Sequence, residues 1–224
     1  KSIGIGCPGV CDDENGVLLY TVNLPFRNTP IAEIFSKFID APVHLANDAN
    51  CAALGEVVAG GAKGYKTSVT LTLGTGIGGG IIIDGKLYLG SNGVAGELGH
   101  VPFGDTDEPC GCGNVGCAEP LVGGKYLAKL CETTFTDTHI SELLSRHGGD
   151  PLLEKYVDRL ARVIASEVSL LDPELLILGG GVINMKVFPK AELTRAIFKY
   201  VRKPLPHDAL AVEFSDGADE CGVI

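Results

Sequence analysis

The sequence predicts a mixed α/β protein rather than a plain series of β-α-β units. Residues 67–89 combine strand-forming runs with a glycine loop and an Asp84-Gly85 turn, which predicts three antiparallel strands. Residues 151–173 have the apolar spacing of one long amphipathic helix, with Leu153, Tyr156, Leu160, Val163, Ile164 and Leu171 on one face. Residues 174–182 then predict a buried strand that enters a glycine turn.

Shorter patterns predict the other elements in chain order. Three runs are typical of short strands: residues 2–6, 42–46 and 209–215. Three runs have the composition or spacing of helices: residues 31–39, the alanine-rich stretch 47–60, and residues 187–201. Residues 91–118 have no apolar periodicity, so we expect irregular structure there.

Composition limits the classes of function. The chain has 224 residues, of which 45% are hydrophobic and 21% charged, as in a globular protein with a sizeable core. The net charge of −10 disfavours a nucleic-acid interface, which needs clustered Lys and Arg. We expect neither a membrane span nor a signal peptide. Because five of the eight cysteines are scattered through a long chain, we expect a reducing, cytoplasmic location.

The run CGCGNVGC, at residues 110–117, predicts a metal site. His100 precedes Cys110 by ten residues, and Cys112 and Cys117 follow. One imidazole and three thiolates are a common ligand set for tetrahedral zinc, and with all four positions filled by protein the ion would be structural. The alternatives are a Cys110–Cys117 disulfide or unpaired thiols, which the short spacing and the expected compartment disfavour.

Two glycine loops are candidates for binding phosphate and nucleotide. LGTGIGGG, at residues 73–80, lies between two predicted strands, where backbone N–H groups and the Thr75 hydroxyl could meet an anion. It lacks the Walker pattern. LGGG, at residues 178–181, follows a strand end, a usual place for a nucleotide in α/β folds. Either loop alone could equally be a structural turn.

Asn47 and Asp48 stand where a predicted strand meets a predicted helix. Both residue types are favoured helix N-caps, so capping is one interpretation. A carboxylate at a strand end that faces a cleft is also placed to accept a proton, which is the chemical interpretation. The residues alone leave both open. Near the cysteine run, Glu97 and His100 are three positions apart and could share a face.

Together these motifs resemble the repressor–ORF–kinase (ROK) family of sugar kinases and sugar-responsive repressors. The resemblance runs nearly end to end and rests on GIGCPGV, NLP, NDANCAALGE, LGTGIGGG, GVAGELGHVPFG, CGCGNVGC and DPELLILGGGV. It implies an actin/hexokinase-like (ribonuclease H-like) ATPase fold, in which two lobes close on sugar and ATP. It also implies that the protein uses ATP and Mg²⁺ to phosphorylate a hexose hydroxyl.

The resemblance also implies roles for individual residues. Asp48 would be the general base that takes the proton of the attacking hydroxyl. The sugar contacts would be Asn47, Glu97, His100 and Glu119, with Gly9 and Asn23 nearby. His100 would bind zinc through one ring nitrogen and the sugar through the other. Thr75 and Gly76 would face phosphate, and Gly180 and Gly181 would face adenosine.

The sequence departs from the family pattern in three places. It lacks the opening D-x-G-G-T-type phosphate hairpin and the last helix, and Ala46 stands where the family usually has Glu. We therefore expect a fold truncated at both ends and an incomplete active site. Residues 1–60 would be the remaining part of the N-terminal lobe. Residues 61–224 would be the C-terminal lobe, with a zinc-bearing insertion at about 91–119.

The family resemblance leaves the sugar open. The segments NMKVFPKAEL and RKPLPH look most like the D-allose kinase branch, which implies transfer to the 6-hydroxyl of D-allose. Glucokinase, fructokinase and N-acetylmannosamine kinase are alternatives, as is a sugar-responsive repressor lacking its DNA-binding segment. A zinc-ribbon nucleic-acid module is disfavoured by the acidic charge. By analogy with the family, we expect a homodimer or tetramer without membrane or nucleic-acid partners.

Overall fold

The structure is a computed structural model that describes residues 1–22, 24–104 and 106–215. The strands are β1 (Ile3–Cys7), β2 (Val10–Asp12), β3 (Val17–Tyr20), β4 (Arg27–Thr29), β5 (Val43–Asn47), β6 (Ser68–Leu73), β7 (Ile77–Ile83), β8 (Lys86–Leu87), β9 (Leu175–Gly179) and β10 (Ala211–Phe214). The α-helices are α1 (Ile31–Ser36), α2 (Asp48–Val58), α3 (Glu119–Val122), α4 (Gly124–Thr133), α5 (Leu143–His147), α6 (Pro151–Leu171) and α7 (Lys190–Tyr200). Two short 3₁₀ helices span Leu98–His100 and Ile140–Glu142.

A five-stranded mixed sheet carries the larger part of the molecule. Its strand order is β10-β9-β6-β7-β8. Strands β6, β7 and β8 pair antiparallel, as the sequence predicts for residues 67–89, with Ser68 opposite Ile82. On the other side β6 pairs parallel with β9, and β9 pairs parallel with β10. The two glycine loops therefore follow neighbouring strands, β6 and β9, at the same edge of the sheet.

Helix α6 forms the main core against this sheet. The predicted apolar face is buried at Leu153, Tyr156, Leu160, Val163 and Ile164. Leu171, at the end of the helix, is only half-buried. Asp150 is the N-cap of this helix, and its carboxylate accepts the Leu152 N–H at 2.8 Å. Asp172, in a left-handed conformation, is the C-cap. Helix α7 packs against α6.

The amino-terminal part contains two small sheets. Strands β1 and β5 pair parallel, with Cys7 opposite Asn47, and β2, β3 and β4 form an antiparallel sheet. The sequence patterns predict β1 and β5 but not β2, β3 or β4. Each of these three strands has only three or four residues. Such short strands are too brief to display alternation, so their pairing depends on contacts distant in sequence.

Helix α2 joins the two parts of the molecule. It follows β5 directly and packs on β6 and β7, where Gly78 and Gly80 leave room for Ala49 and Ala53. The predicted lobe boundary at residue 60 remains a prediction. Helix α2 contacts strands that precede this boundary in the chain, β1 and β5, and strands that follow it, β6 and β7. Among the described residues, no helix has the length and apolarity needed to cross a membrane.

Candidate active site

The amino terminus of α2 is held in place by Asn47. The Asn47 Oδ1 atom accepts the N–H groups of Ala49 at 2.9 Å and Asn50 at 3.1 Å. Its Nδ2 group donates to the Gly9 carbonyl at 3.1 Å. The capping interpretation of Asn47 is thus confirmed, and the same side chain ties the helix to the turn between β1 and β2. This arrangement fixes the backbone from which Asp48 extends.

A cavity of about 470 Å³ opens at this helix terminus. Nine of the predicted site residues line it: Gly9, Asn47, Asp48, Thr75, Gly76, Glu97, His100, Glu119 and Gly180. Gly181 is exposed and does not line it. The predicted sugar neighbour Asn23 falls outside the described residues. Residues separated by more than a hundred positions in sequence thus meet around one cavity.

Asp48 is an accessible carboxylate with reduced hydration. Its side chain remains open to solvent in the cleft, yet the surrounding walls raise its pKa above the ordinary value of 3.8. Its Oδ1 atom accepts the Ala49 N–H at 2.9 Å, a bond that acts in the opposite direction and favours the ionised form. Burial has the larger effect. A carboxylate with a raised pKa is a stronger base than one in water.

The predicted metal ligands lie together behind the cavity. The ligand atoms of His100, Cys110, Cys112 and Cys117 are all within 4.8 Å of one another. The three cysteines are free thiols, so they form no Cys110–Cys117 disulfide. The Cys112 and Cys117 sulfurs are 3.7 Å apart. The Cys110 sulfur lies 3.4 Å from His100 Nδ1.

Two of these separations fit a single zinc ion. With Zn–S bonds of about 2.3 Å and Zn–N bonds of about 2.0 Å, a tetrahedron separates two sulfurs by roughly 3.8 Å and sulfur from nitrogen by roughly 3.5 Å. The observed sulfur–sulfur distance of 3.7 Å and sulfur–nitrogen distance of 3.4 Å match both values. Four protein ligands would leave no open position, so an ion here would shape the segment rather than activate water.

His100 connects this cluster to the cavity. While Nδ1 faces Cys110, Nε2 lies 3.6 Å from a carboxylate oxygen of Glu97. Burial raises the pKa of Glu97, and the neighbouring His100 acts in the opposite direction. Both side chains line the cavity. The ring can therefore face a metal with one nitrogen and the cavity with the other, as the resemblance implies.

Glu119 links the metal-ligand segment to the first glycine loop. Its side chain is buried, and its Oε2 atom accepts the Ile77 N–H at 3.1 Å. The same carboxylate occupies the space that a Cβ atom at Gly76 would need, so a larger residue there would force the Glu119 side chain to move. The position of the glycine loop thus depends on the segment that carries the cysteines.

The two glycine loops lie against each other at the edge of the sheet. Gly180 has a φ of +94°, and a Cβ atom there would collide with the Leu73 backbone. The Leu73 carbonyl accepts the Val182 N–H at 2.9 Å. On the other side, the Gly74 carbonyl accepts the N–H of Gly124, the first residue of α4, at 2.9 Å. The loops are therefore held from both sides, and Thr75 and Gly76 border the cavity between them.

Sequence patterns did not single out every residue of the cavity. Its further lining includes Pro8, Thr21, Leu24, Asn50, Thr72, Gly93 and Ala95. Thr21 and Leu24 lie on the connection between β3 and β4, two strands that the sequence did not predict. Asn50 was available as a signal, since it is a polar residue in the alanine-rich face of a helix that begins at the predicted base.

The fold and the cavity together define a hexokinase-like class of protein, with a carboxylate at a helix terminus that shares one cavity with a glycine loop. A model of the ROK family matches residues 1–224, and the chain belongs to this family.

Curated relatives carry the names of kinases for three sugars: glucose, N-acetyl-D-glucosamine and N-acetylgalactosamine. A glucokinase from Thermotoga maritima is 34% identical over 202 residues, which cover 80% of this chain and 63% of the relative. An N-acetyl-D-glucosamine kinase from Pectobacterium atrosepticum is 36% identical over 200 residues, covering 82% of this chain and 66% of the relative. The chain thus spans less than two thirds of the length of either protein.

Solved structures of both kinases and regulators are similar. The ROK family glucokinase from Streptomyces griseus, in complex with glucose and AMPPNP, has a TM-score of 0.84 and 30% identity, and the match covers 99% of this chain and 78% of that protein. A ROK family transcriptional regulator, a homologue of the E. coli MLC protein, has a TM-score of 0.82 and 26% identity, and the match covers 99% of this chain and 60% of the regulator. The fold is therefore common to enzymes and regulators.

Proposed function

We propose that the protein is a sugar kinase that transfers the terminal phosphoryl group of ATP to a hexose hydroxyl. The observation that carries the proposal is the position of Asp48, which shares one cavity with Thr75 and Gly76 of the glycine loop and with Glu97, His100 and Glu119. A proton acceptor, a phosphate-binding loop and a set of sugar-binding side chains are the three parts that this reaction needs.

Asp48 would act as the general base. As the sugar oxygen forms its bond to phosphorus, the hydroxyl proton passes to the Asp48 carboxylate and the bond to ADP breaks. Reduced hydration raises the pKa of this carboxylate, which makes it a better proton acceptor. The bond from Ala49 N–H to Asp48 Oδ1 orients the group.

Glu97, His100 and Glu119 would bind the sugar, with Asn47 and Gly9 beside them. Carboxylates and an imidazole offer fixed acceptors and a donor to a ring of hydroxyls. Structural zinc held by His100, Cys110, Cys112 and Cys117 would fix the positions of these sugar-binding side chains. The 3.6 Å approach of His100 Nε2 to Glu97 supports a shared role for these two residues.

The glycine loops would bind the nucleotide. Thr75 and Gly76 would face the phosphates, and Gly180 and Gly181 would face the adenosine. Of these four residues, only Gly181 does not line the cavity. Mg²⁺ would accompany ATP and neutralise charge on the transferred group.

We further propose that the substrate is a hexose phosphorylated at its 6-hydroxyl. The names of the curated relatives favour glucose, N-acetyl-D-glucosamine or N-acetylgalactosamine. D-Allose, which the carboxyl-terminal segments favour, remains a prediction, and fructose and N-acetylmannosamine remain alternatives. A single hydroxyl orientation distinguishes D-allose from D-glucose, so a few side chains of the cavity decide between them.

A second candidate is a sugar-responsive regulator. The observation that favours it is the TM-score of 0.82 to a ROK transcriptional regulator. A regulator would need the sugar-binding side chains but not the proton acceptor. The presence of Asp48 beside an intact glycine loop therefore favours the kinase.

The experiment is an ADP-release assay on the intact protein that carries this chain, loaded with zinc and supplied with Mg-ATP. The panel contains glucose, N-acetyl-D-glucosamine, D-allose, mannose, fructose and N-acetylmannosamine. We expect strong turnover with one or two of them. Sugar binding by calorimetry without ADP release from any sugar would instead support the regulator.

A further inference from the structure

Asn50 lies one helical turn beyond the cap of α2 and borders the cavity. Its side chain is 4% exposed. Its backbone N–H donates to Asn47 Oδ1 at 3.1 Å, but its own Oδ1 atom has no hydrogen-bond partner. Across the described residues, three other buried side-chain oxygens share this condition, on Ser68, Thr70 and Tyr156, and none of those residues lines the cavity.

The fold does not explain a polar residue at this position. The buried face of α2 consists mainly of small apolar residues, among them Ala49, Ala52 and Ala53. An alanine at position 50 would suit the helix better, because alanine has a higher helix propensity and no amide to desolvate. The cap is already supplied by Asn47, so Asn50 is not needed there. A buried polar group without a partner requires another explanation, of which a bound ligand is one.

Asn47 has one side-chain N–H left for a ligand but no free acceptor, whereas Asn50 has an acceptor that no other group uses. The Asn47 oxygen accepts two backbone N–H groups, and its nitrogen donates to the Gly9 carbonyl. Asn50 has an amide of the same chemistry at the same cavity. A neutral amide offers both a donor and an acceptor, which matches a hydroxyl group. Unlike a carboxylate, it would not compete with Asp48 for a proton.

We propose that Asn50 is a further sugar-specificity residue, whose side-chain amide hydrogen-bonds one hydroxyl of the bound hexose. The inference rests on the sugar-binding part of the proposed function and adds a contact that the family resemblance does not assign. A hydroxyl that satisfies a buried amide is recognised strongly, because a sugar without that hydroxyl leaves the amide unpaired.

The test measures binding rather than turnover. The dissociation constants of the best hexose and of its 2-, 3-, 4- and 6-deoxy forms are measured by calorimetry for the zinc-loaded intact protein and for Asn50→Ala. We expect the wild type to bind one deoxy sugar about tenfold to a hundredfold more weakly than the parent sugar. In Asn50→Ala that one ratio should fall to near one, while the other three ratios persist.

Thermal unfolding supplies a second readout. Because Asn50→Ala removes a buried amide oxygen that has no partner, the ligand-free variant should melt at the same temperature as the wild type or higher. The increase in melting temperature caused by the sugar should shrink. Asn184→Ala, an exposed asparagine outside the cavity lining, serves as the matched control and should change neither measurement.

Several outcomes would overturn the proposal. If Asn50→Ala weakens all five sugars equally, the residue is structural. If the sugar constants are unchanged and only AMP-PNP binding falls, the amide serves the nucleotide instead. If Asn50→Ala does not fold, Asn50→Ser takes its place in the same assay. A protein that binds sugar but releases no ADP would lose the kinase proposal alone, whereas one that binds no sugar would lose both.

Discussion

Asp48 combines two properties that oppose each other at the level of a single residue. It is the first residue of α2, where the helix dipole favours negative charge, and it lies in a cleft whose walls raise its pKa. Burial also outweighs the backbone hydrogen bonds that favour the ionised carboxylate. A carboxylate with reduced hydration costs the fold some stability and gives the reaction a base, which is a common exchange at active sites.

Replacing Asp48 by asparagine should separate binding from transfer. The amide would keep the shape of the side chain but could not take the hydroxyl proton, so we expect kcat of Asp48→Asn to fall by about 10²- to 10⁴-fold. The dissociation constant of the sugar should change by no more than a few fold. Rapid-quench kinetics and calorimetry measure the two quantities. Asp40→Asn, an exposed control outside the cavity, should leave both unchanged, and near-normal kcat in Asp48→Asn would remove Asp48 as the base.

The raised pKa of Asp48 also predicts how stability depends on pH. The folded protein holds this proton more tightly than the unfolded chain, whose pKa is near 3.8. The resulting stabilisation is therefore present below that value and is lost as the pH rises through the raised pKa. Urea unfolding of the wild type and of Asp48→Asn should give a difference in free energy that changes in this window and is constant above it. A difference that is the same at every pH would contradict the shift.

At the scale of elements, the segment between Glu97 and Glu119 acts as one unit. Its 3₁₀ helix carries His100, its irregular part carries the cysteines, and its end begins α3 with Glu119, which binds the Ile77 backbone. The segment contains little regular structure of its own. An ion held by four side chains would supply the order that hydrogen-bonded strands supply elsewhere.

Cys112→Ser should therefore lose zinc and sugar binding together. Because a serine hydroxyl is a poor zinc ligand, the variant would lose the ion. The sugar-binding side chains of Glu97 and His100 would then no longer be held in position. Metal analysis and sugar calorimetry on the same preparation test this. Cys131→Ser changes a half-buried thiol outside the metal cluster and should retain both. Zinc-free Cys112→Ser that still binds sugar normally would refute the supporting role.

The contact of α2 with β7 predicts a second effect at this scale. A Cβ atom at Gly80 would collide with Ala53 and lie 2.9 Å from the Ala49 carbonyl, so Gly80→Ala must push α2 away from the sheet. We expect a loss of about 1–3 kcal/mol in the free energy of unfolding and a fall in kcat, because Asp48 moves with the helix. Gly4→Ala, where no atom lies within 4 Å, is the control in denaturant titrations. Equal stability of the two variants would contradict this packing.

The sequence predicts those helices and strands that are long or that have turn residues such as glycine at their ends. The 21 residues of α6 show helical spacing over several turns, and the glycine loop marks the β6–β7 hairpin. Helices α3 and α5, with four and five residues, are too short to reveal a period. Helix α4 has ten residues but begins at a glycine pair, which locally is typical of a turn. Tertiary contacts determine these elements.

At the scale of the whole molecule, the cavity collects residues from Pro8 to Gly180. The sequence could predict the chemistry of Asp48, Glu97 and His100, because residue type and motif carry that information. It could not predict Thr21, which reaches the cavity through strands that only long-range pairing creates. The unpaired amide oxygen of Asn50 is likewise visible only once its neighbours in space are known.

Because parts of both small sheets and of the large sheet border the cavity, a sugar should stabilise the entire fold. At a hundred times its dissociation constant, a ligand that binds only the folded state adds about 2.7 kcal/mol to the free energy of unfolding. With the preferred hexose, we expect a single melting transition at a higher temperature than in the ligand-free protein. With L-glucose, the melting temperature should not change. Light scattering on the same sample tests the predicted homodimer or tetramer. A sugar that binds but leaves the transition unchanged would contradict this view.

The contact between Glu119 and Gly76 also ties the glycine loop to the acidic residue. A Cβ atom at position 76 would need the space filled by the Glu119 carboxylate. A larger residue in the loop would therefore force this buried side chain to give up its position and its hydrogen bond with the Ile77 N–H. Two positions 43 residues apart in the chain, by the difference of their numbers, thus constrain each other.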